Sequence, residues 1–149
     1  MKFLADSNLG RLAKWLRIMG YDTHYQSYYT MEDFGPLVRD ERTLLSRHAK
    51  TTDQYPGSLM LRSDHVKRQL HEIQTGFQLE PDRLRWFTRC LICNVPLKKA
   101  QAEDLRLNVP DYVLYEKLTQ IRFCPSCGRH FWPGSHRERM IRQLENWGF

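Results

Sequence analysis

Two pairs of cysteines, Cys90-x-x-Cys93 and Cys124-x-x-Cys127, hold all the cysteine in the chain and constrain its fold more than any other feature. Two residues between the thiols let both sulfurs turn onto one ion, and two such knuckles complete the tetrahedral sphere of a structural zinc site. The 30 residues between the pairs exceed the spacing of the shortest ribbons, so the sequence predicts a zinc ribbon carrying an insertion. Two disulfides, or four thiols that pair by chance, are the competing readings. The chain opens on a strand pattern and not on a secretory signal, which favours the cytoplasm and reduced thiols. His130 and His136 lie near the second pair and offer a replacement ligand. A closed four-thiolate sphere builds structure and leaves no open position for chemistry, so any reaction must lie elsewhere.

At 149 residues the chain has room for a compact domain beside a small metal-stapled one. The expected division is 1–82 and 83–149. Apolar content of 41% is enough for a core, and no run approaches the roughly 20 apolar residues of a membrane span, so no membrane partner is expected. Charge is segregated: 1–82 carries 11 basic and 11 acidic residues, whereas 83–149 carries 12 basic and 6 acidic, hence all of the net +6. A four-thiolate zinc would still leave about +4 there. Arg129, Arg137, Arg139 and Arg142 interleave with Phe131, Trp132 and Trp147, a combination suited to phosphate forks and base stacking. A solvated basic face over a few core aromatics is the plainer reading; RNA is the partner the pattern favours.

Strand and helix signals alternate through the first part. Lys2 to Ala5 reads as a strand, and Asp6 caps a helix over Leu9 to Met19 that stops at Gly20. Leu9, Leu12, Ala13, Leu16 and Met19 form its buried stripe. Arg11 and Lys14 lie opposite, where they could meet RNA, beside a smaller apolar patch of Trp15 and Ile18. There follow a strand at Asp22 to Gln26, a helix from Met31 to Glu41, strands at Arg42 to Ser46 and Ser58 to Leu61, and a helix opened by Asp64 and running to Gly76. Ser135 is read as the cap of a final helix carrying Met140, Ile141, Leu144 and Trp147. Such alternation predicts a parallel sheet, with ligands at the carboxyl ends of its strands. Asp6, Asp22, Asp40 and His48 are the candidates there, a set that could gather magnesium or manganese and activate water against a phosphodiester.

Phe3-Leu4-Ala5-Asp6, Leu9-Gly10-Arg11-Leu12-Ala13-Lys14-Trp15-Leu16-Arg17, Gly20-Tyr21-Asp22-Thr23 and Arg42-Thr43-Leu44-Leu45-Ser46-Arg47 resemble the PIN-like ribonuclease domain first described at the C-terminus of the Mut-seven exonuclease. The resemblance continues through Cys90–Cys93-Asn94, Val109-Pro110, Cys124–Cys127-Gly128 and Trp132-x-Gly134-Ser135-His136, and so covers nearly the whole chain. It implies an α/β PIN-like three-layer sandwich with a mostly parallel central sheet, a C-terminal zinc ribbon, and metal-dependent RNA cleavage. Asp6 and Asp22 match the family pattern, and Asp40 stands where a glutamate is common. Two expected carboxylates are missing or displaced: Ser46-Arg47-His48 replaces Thr-Arg-Asp, and Thr30 occupies the place of a second acid unless the register shifts to Glu32 or Asp33. Fewer acids weaken divalent binding, and histidine in place of a hard oxygen ligand points to lost hydrolysis. The expectation is therefore a protein that binds RNA or a ribonucleoprotein such as the ribosome with weak or lost hydrolysis; the alternative is an active metal-dependent ribonuclease.

Overall fold

The computed structural model describes residues 1–100 and 109–149. The chain divides into two units, Met1–Asn94 and Val95–Phe149, so residues 83–94 fall within the first. That unit is built on four strands, β1 (Lys2–Ala5), β2 (Asp22–Tyr25), β3 (Arg42–Ser46) and β4 (Leu59–Met60). All pair in parallel, in the order β2-β1-β3-β4. Helices α1 (Gly10–Ile18), α2 (Met31–Arg39), α3 (Ala49–Asp53) and α4 (Val66–Phe77) alternate with them.

Strand β1 is central, and both of its faces are covered, because successive side chains point to opposite sides of a sheet. Leu4 clusters with Phe34 of α2 and Leu44 of β3, under Tyr29, Leu37, Val38 and Tyr55. Phe3 instead meets the rings of Tyr21 and of Phe77 in α4. Burial on both faces explains why the strand reads as an unbroken apolar run. The result is the layered α/β sandwich that the alternation predicts.

Local chemistry sets the helix ends. Asp6 accepts the Ser7 N–H at 2.6 Å and caps a single 3-10 turn, Ser7–Leu9, which leads into α1. Leu12, Ala13 and Leu16 are buried as expected; Ile18 is buried as well, and Trp15 is half-buried. Gly20 ends the helix at φ +86°, where the backbone of Arg85 comes so close that a Cβ would lie 2.3 Å from its carbonyl oxygen. The N-cap of α4 is His65 and not Asp64, and Glu72 reaches back to the N–H groups of Arg62 and Ser63 just before it.

The second unit carries an antiparallel sheet of β5 (Lys98–Lys99), β6 (Arg122–Phe123) and β7 (His130–Phe131), in that order, with helices α5 (Asp111–Lys117) and α6 (Ser135–Trp147). Its small core gathers Val109, Val113 and Ile121, with Ala100, Leu114 and Trp132 against them. The insertion expected between the cysteine pairs thus includes α5, while residues 101–108 of it lie outside the described residues. Gly134, not Ser135, is the N-cap of α6, and Leu144 is its buried residue. Among the described residues no helix is long and apolar enough to cross a membrane.

Candidate functional site

The parallel register fixes where each candidate acid stands. Lys2 of β1 lies opposite Asp22 and Arg42, while Ala5 lies opposite Tyr25 and Leu45. Asp6, which follows Ala5, is therefore at the carboxyl end of the sheet. Asp22, the first residue of β2, and Asp40, which precedes β3, are at the amino end. Four residues of extended chain separate the two ends by roughly 13 Å. The structure brings Asp6 together with His48 and does not bring either to Asp22 or Asp40.

At the carboxyl end, buried Asp6 accepts the Ser46 hydroxyl at 2.6 Å on one oxygen and the Ser7 N–H on the other. Ser46 in turn accepts the His48 N–H at 3.1 Å, and the His48 ring places Nε2 3.2 Å from the amide nitrogen of Asn8. The Tyr25 hydroxyl donates to the Ser7 carbonyl at 3.1 Å. Asn8 is a site neighbour that composition and spacing do not reveal, since a lone asparagine after a capping aspartate reads as turn chemistry. Tyr29 lies under this end; burial raises its hydroxyl to about 12, against the opposing hydrogen bond from the Gln26 N–H. Of the two acids that a shifted register offers for the missing position, Glu32 and Asp33, the second is engaged in the cap of α2. Thr30 is the N-cap of α2, and its N–H and hydroxyl both bond the Asp33 carboxylate, at 2.7 and 2.9 Å, which holds that group below its ordinary value.

At the amino end the acids are paired with cations. Asp22 takes Arg42 at 2.6 Å, the Asn94 amide at 2.8 Å and Arg89 at 3.5 Å. Burial works to raise the Asp22 carboxyl, but the hydrogen bonds from Arg42 and Asn94 and the two guanidinium charges outweigh it and hold the group below its ordinary value. Asp40 pairs with Arg42 at 3.1 Å and with Lys2 at 3.4 Å. His24, in mid-strand, is pushed down by burial and then by Arg42 and Arg17, which favours its neutral form.

The four cysteine sulfurs lie within 4.8 Å of one another, and none is joined in a disulfide. A tetrahedral thiolate site with Zn–S bonds near 2.3 Å places its sulfurs about 3.8 Å apart, so the donor set fits such an ion in number, type and spacing. In each knuckle the residue after the second cysteine has positive φ and bonds back to the first. Asn94, at φ 63°, donates to the Cys90 carbonyl, and Gly128, at φ 70°, to that of Cys124, both at 2.9 Å. The Cys93 N–H faces the Cys90 sulfur at 3.4 Å. His130 stands in β7 and is not in the cluster. Among the described residues this is the one group of three or more such side chains placed to hold a metal ion.

The family model of the Mut7-C RNAse domain matches residues 1–144. The chain belongs to that family. Comparison with curated proteins and with solved structures gave no match. As a Mut7-C RNAse domain it is a ribonuclease-family protein whose implied partner is RNA. The residues singled out for RNA contact differ in their surroundings. Arg11 and Lys14 are exposed on α1, and Arg129, Arg139 and Arg142 are exposed in the second unit. Arg137 is half-buried, and that burial lowers its pKa. Trp132 is half-buried too, packed on Val109, Val113 and Ile121, so its ring serves the small core.

Proposed function

We propose that this protein binds RNA through exposed arginines and hydrolyses it weakly or not at all, with zinc as the structural ion of its four cysteines. The observation that carries the reading is the carboxyl end of the sheet, where Asp6 is a single buried carboxylate engaged by Ser46 and Ser7, and the adjacent family position is His48. Phosphodiester hydrolysis by divalent ions depends on several hard oxygen ligands held together to place metal and water and to offset developing charge. One carboxylate beside an imidazole and an amide makes a poor magnesium or manganese site. Zinc, by contrast, suits four thiolates, and bound there it supplies folding energy and no reaction. The cytoplasm is the compartment in which such thiols stay reduced. The RNA surface is assigned to Arg129, Arg139 and Arg142, with Arg11 and Lys14 as a second basic group, and a folded ribonucleoprotein such as the ribosome is one form in which the RNA would be met.

The alternative, an active metal-dependent ribonuclease, draws on the retention of Asp6 at the family's strand-end position within a Mut7-C RNAse domain. In that case Asp6 and His48 would hold magnesium or manganese.

Binding is tested by salt dependence. Each phosphate neutralised by an arginine releases condensed counterions, so the logarithm of affinity for single-stranded RNA should fall linearly with the logarithm of salt concentration. Charge reversal at Arg139 and Arg142 should weaken binding and flatten that slope by about one unit per lost contact. Reversal of Lys50 and Lys67 should change it much less. A shallow wild-type slope, or one indifferent to the two arginines, would overturn the assignment.

A further inference from the structure

Strand β2 is an edge of the parallel sheet, paired on one side to β1. An edge strand presents unpaired N–H and C=O groups that must be satisfied or covered. At Thr23 both are taken by side chains. The Asn94 carboxamide oxygen accepts the Thr23 N–H at 2.9 Å, and the Arg17 Nε donates to the Thr23 carbonyl at 2.9 Å. Each of these side chains reaches the first metal knuckle, Asn94 because it closes the knuckle, and Arg17 because its Nη1 donates to the Leu91 and Ile92 carbonyls, both at 2.9 Å.

The direction of those two bonds matters for the metal. A trans peptide plane carries its C=O and N–H in opposite directions. Drawing the Ile92 carbonyl toward Arg17 turns the next N–H, that of Cys93, away from the guanidinium and toward the Cys90 sulfur, where it is found at 3.4 Å. An N–H donor to sulfur favours the thiolate form that binds an ion. Arg17 is itself buried, so its guanidinium is held in place to grip these carbonyls.

Asn94 makes a second, independent case. The turn after the second cysteine needs positive φ, which glycine adopts freely and asparagine tolerates. The second knuckle uses Gly128; the first uses a residue with a less favourable backbone but a side chain. Both ends of that side chain are employed, the oxygen on Thr23 and the nitrogen on Asp22. Arg89, one residue before Cys90, completes the frame by pairing with Asp22 and donating to the Asn94 carbonyl.

We infer that Arg17, Asp22 and Asn94 are positioning residues of the metal centre, holding the Cys90–Cys93 knuckle in its ligating turn against the edge of the α/β sheet. Half of the metal site is then built before the ion arrives, and Asp22 serves the cysteines and not the phosphodiester. This goes beyond the RNA-binding reading, and its readout is independent of RNA.

The test is zinc affinity of the full chain, measured by competition with a chromophoric chelator, alongside the cobalt(II) spectrum of the same variants. Asn94→Gly keeps the turn and removes both side-chain bonds. It should still give a four-thiolate cobalt spectrum but bind zinc about 10-fold or more weakly, the usual effect of losing a partner that orients a ligand. Lys67→Ala, at an exposed position of α4 outside both knuckles, should bind zinc like the wild type. Asp22→Ala should also weaken zinc, and the double variant Asp22→Ala/Asn94→Gly should lose less than the sum of the two, because the Asn94–Asp22 bond is common to both. Arg17→Lys keeps the charge without the fork and should show the same loss; if it fails to fold, Asn94→Gly decides. Wild-type zinc affinity in Asn94→Gly, or strict additivity with Asp22→Ala, would overturn the inference.

Discussion

Gly20→Ala should destabilise the α/β unit by more than its single methyl implies. Gly20 sits at φ +86°, a region that costs an L-residue about 1–2 kcal/mol. The methyl would also lie 2.3 Å from the Arg85 carbonyl oxygen and 2.8 Å from its Cβ, so backbone must move. The segment that would move is held just beyond that point, where the Phe87 N–H donates to the Ile18 carbonyl at 2.7 Å and Trp86 is 6% exposed. Losing that bond costs about 1 kcal/mol, and partly uncovering the indole adds a similar amount, for a total of about 3–4 kcal/mol. With a typical urea dependence near 2 kcal/mol per molar, the unfolding midpoint should fall by about 1.5–2 M. The assay is equilibrium urea unfolding in saturating zinc, followed by circular dichroism and tryptophan fluorescence. A midpoint within about 0.3 M of wild type would show that the Arg85–Phe87 segment yields at little cost and does not fix the path to the first knuckle.

Removing zinc with a strong chelator should unfold Val95–Phe149 while Met1–Asn94 keeps its sheet, because the second unit has a small core and two-residue strands; amide dispersion in NMR spectra before and after chelation checks this. Tyr29→Phe should cost about 1 kcal/mol at neutral pH through the lost bond from the Gln26 N–H, 2.9 Å in the wild type. It should also flatten the alkaline limb of stability. The half-buried side chain has its hydroxyl raised to about 12 in the folded state, so its contribution is fully present below the unfolded value and is lost as pH rises through the folded one. Urea midpoints measured from neutral to strongly alkaline pH should therefore fall in wild type and fall less in the variant.

The sheet and first helix were legible because their patterns are strong. β1 carries Phe3-Leu4-Ala5 and β3 the buried pair Leu44-Leu45, and Leu12, Ala13 and Leu16 recur at helical spacing. The cysteine spacing likewise carried the metal cluster, since the chemistry of two knuckles is local to five residues each. Helices α3 and α5 were not legible: each buries one residue, Thr51 and Val113, and leaves no periodicity to read. The end of the sheet at which each acid stands could have been read. Asp6 follows its strand, whereas Asp22 opens β2 and Asp40 precedes β3, and in a parallel sheet that order alone separates them. The part played by Asn94 lay beyond sequence reasoning, because its partners Thr23 and Asp22 are about 70 residues away and reach it only through the edge of the folded sheet.

The central claim, that RNA is held and scarcely cut, is tested most directly by cleavage of single-stranded RNA in manganese by the wild type, Asp6→Asn and His48→Asp. A site with one carboxylate should cleave slowly, lose little in Asp6→Asn, and gain when His48→Asp supplies a second hard ligand beside Asp6. Robust wild-type cleavage that disappears in Asp6→Asn would contradict the account and make the protein a working ribonuclease.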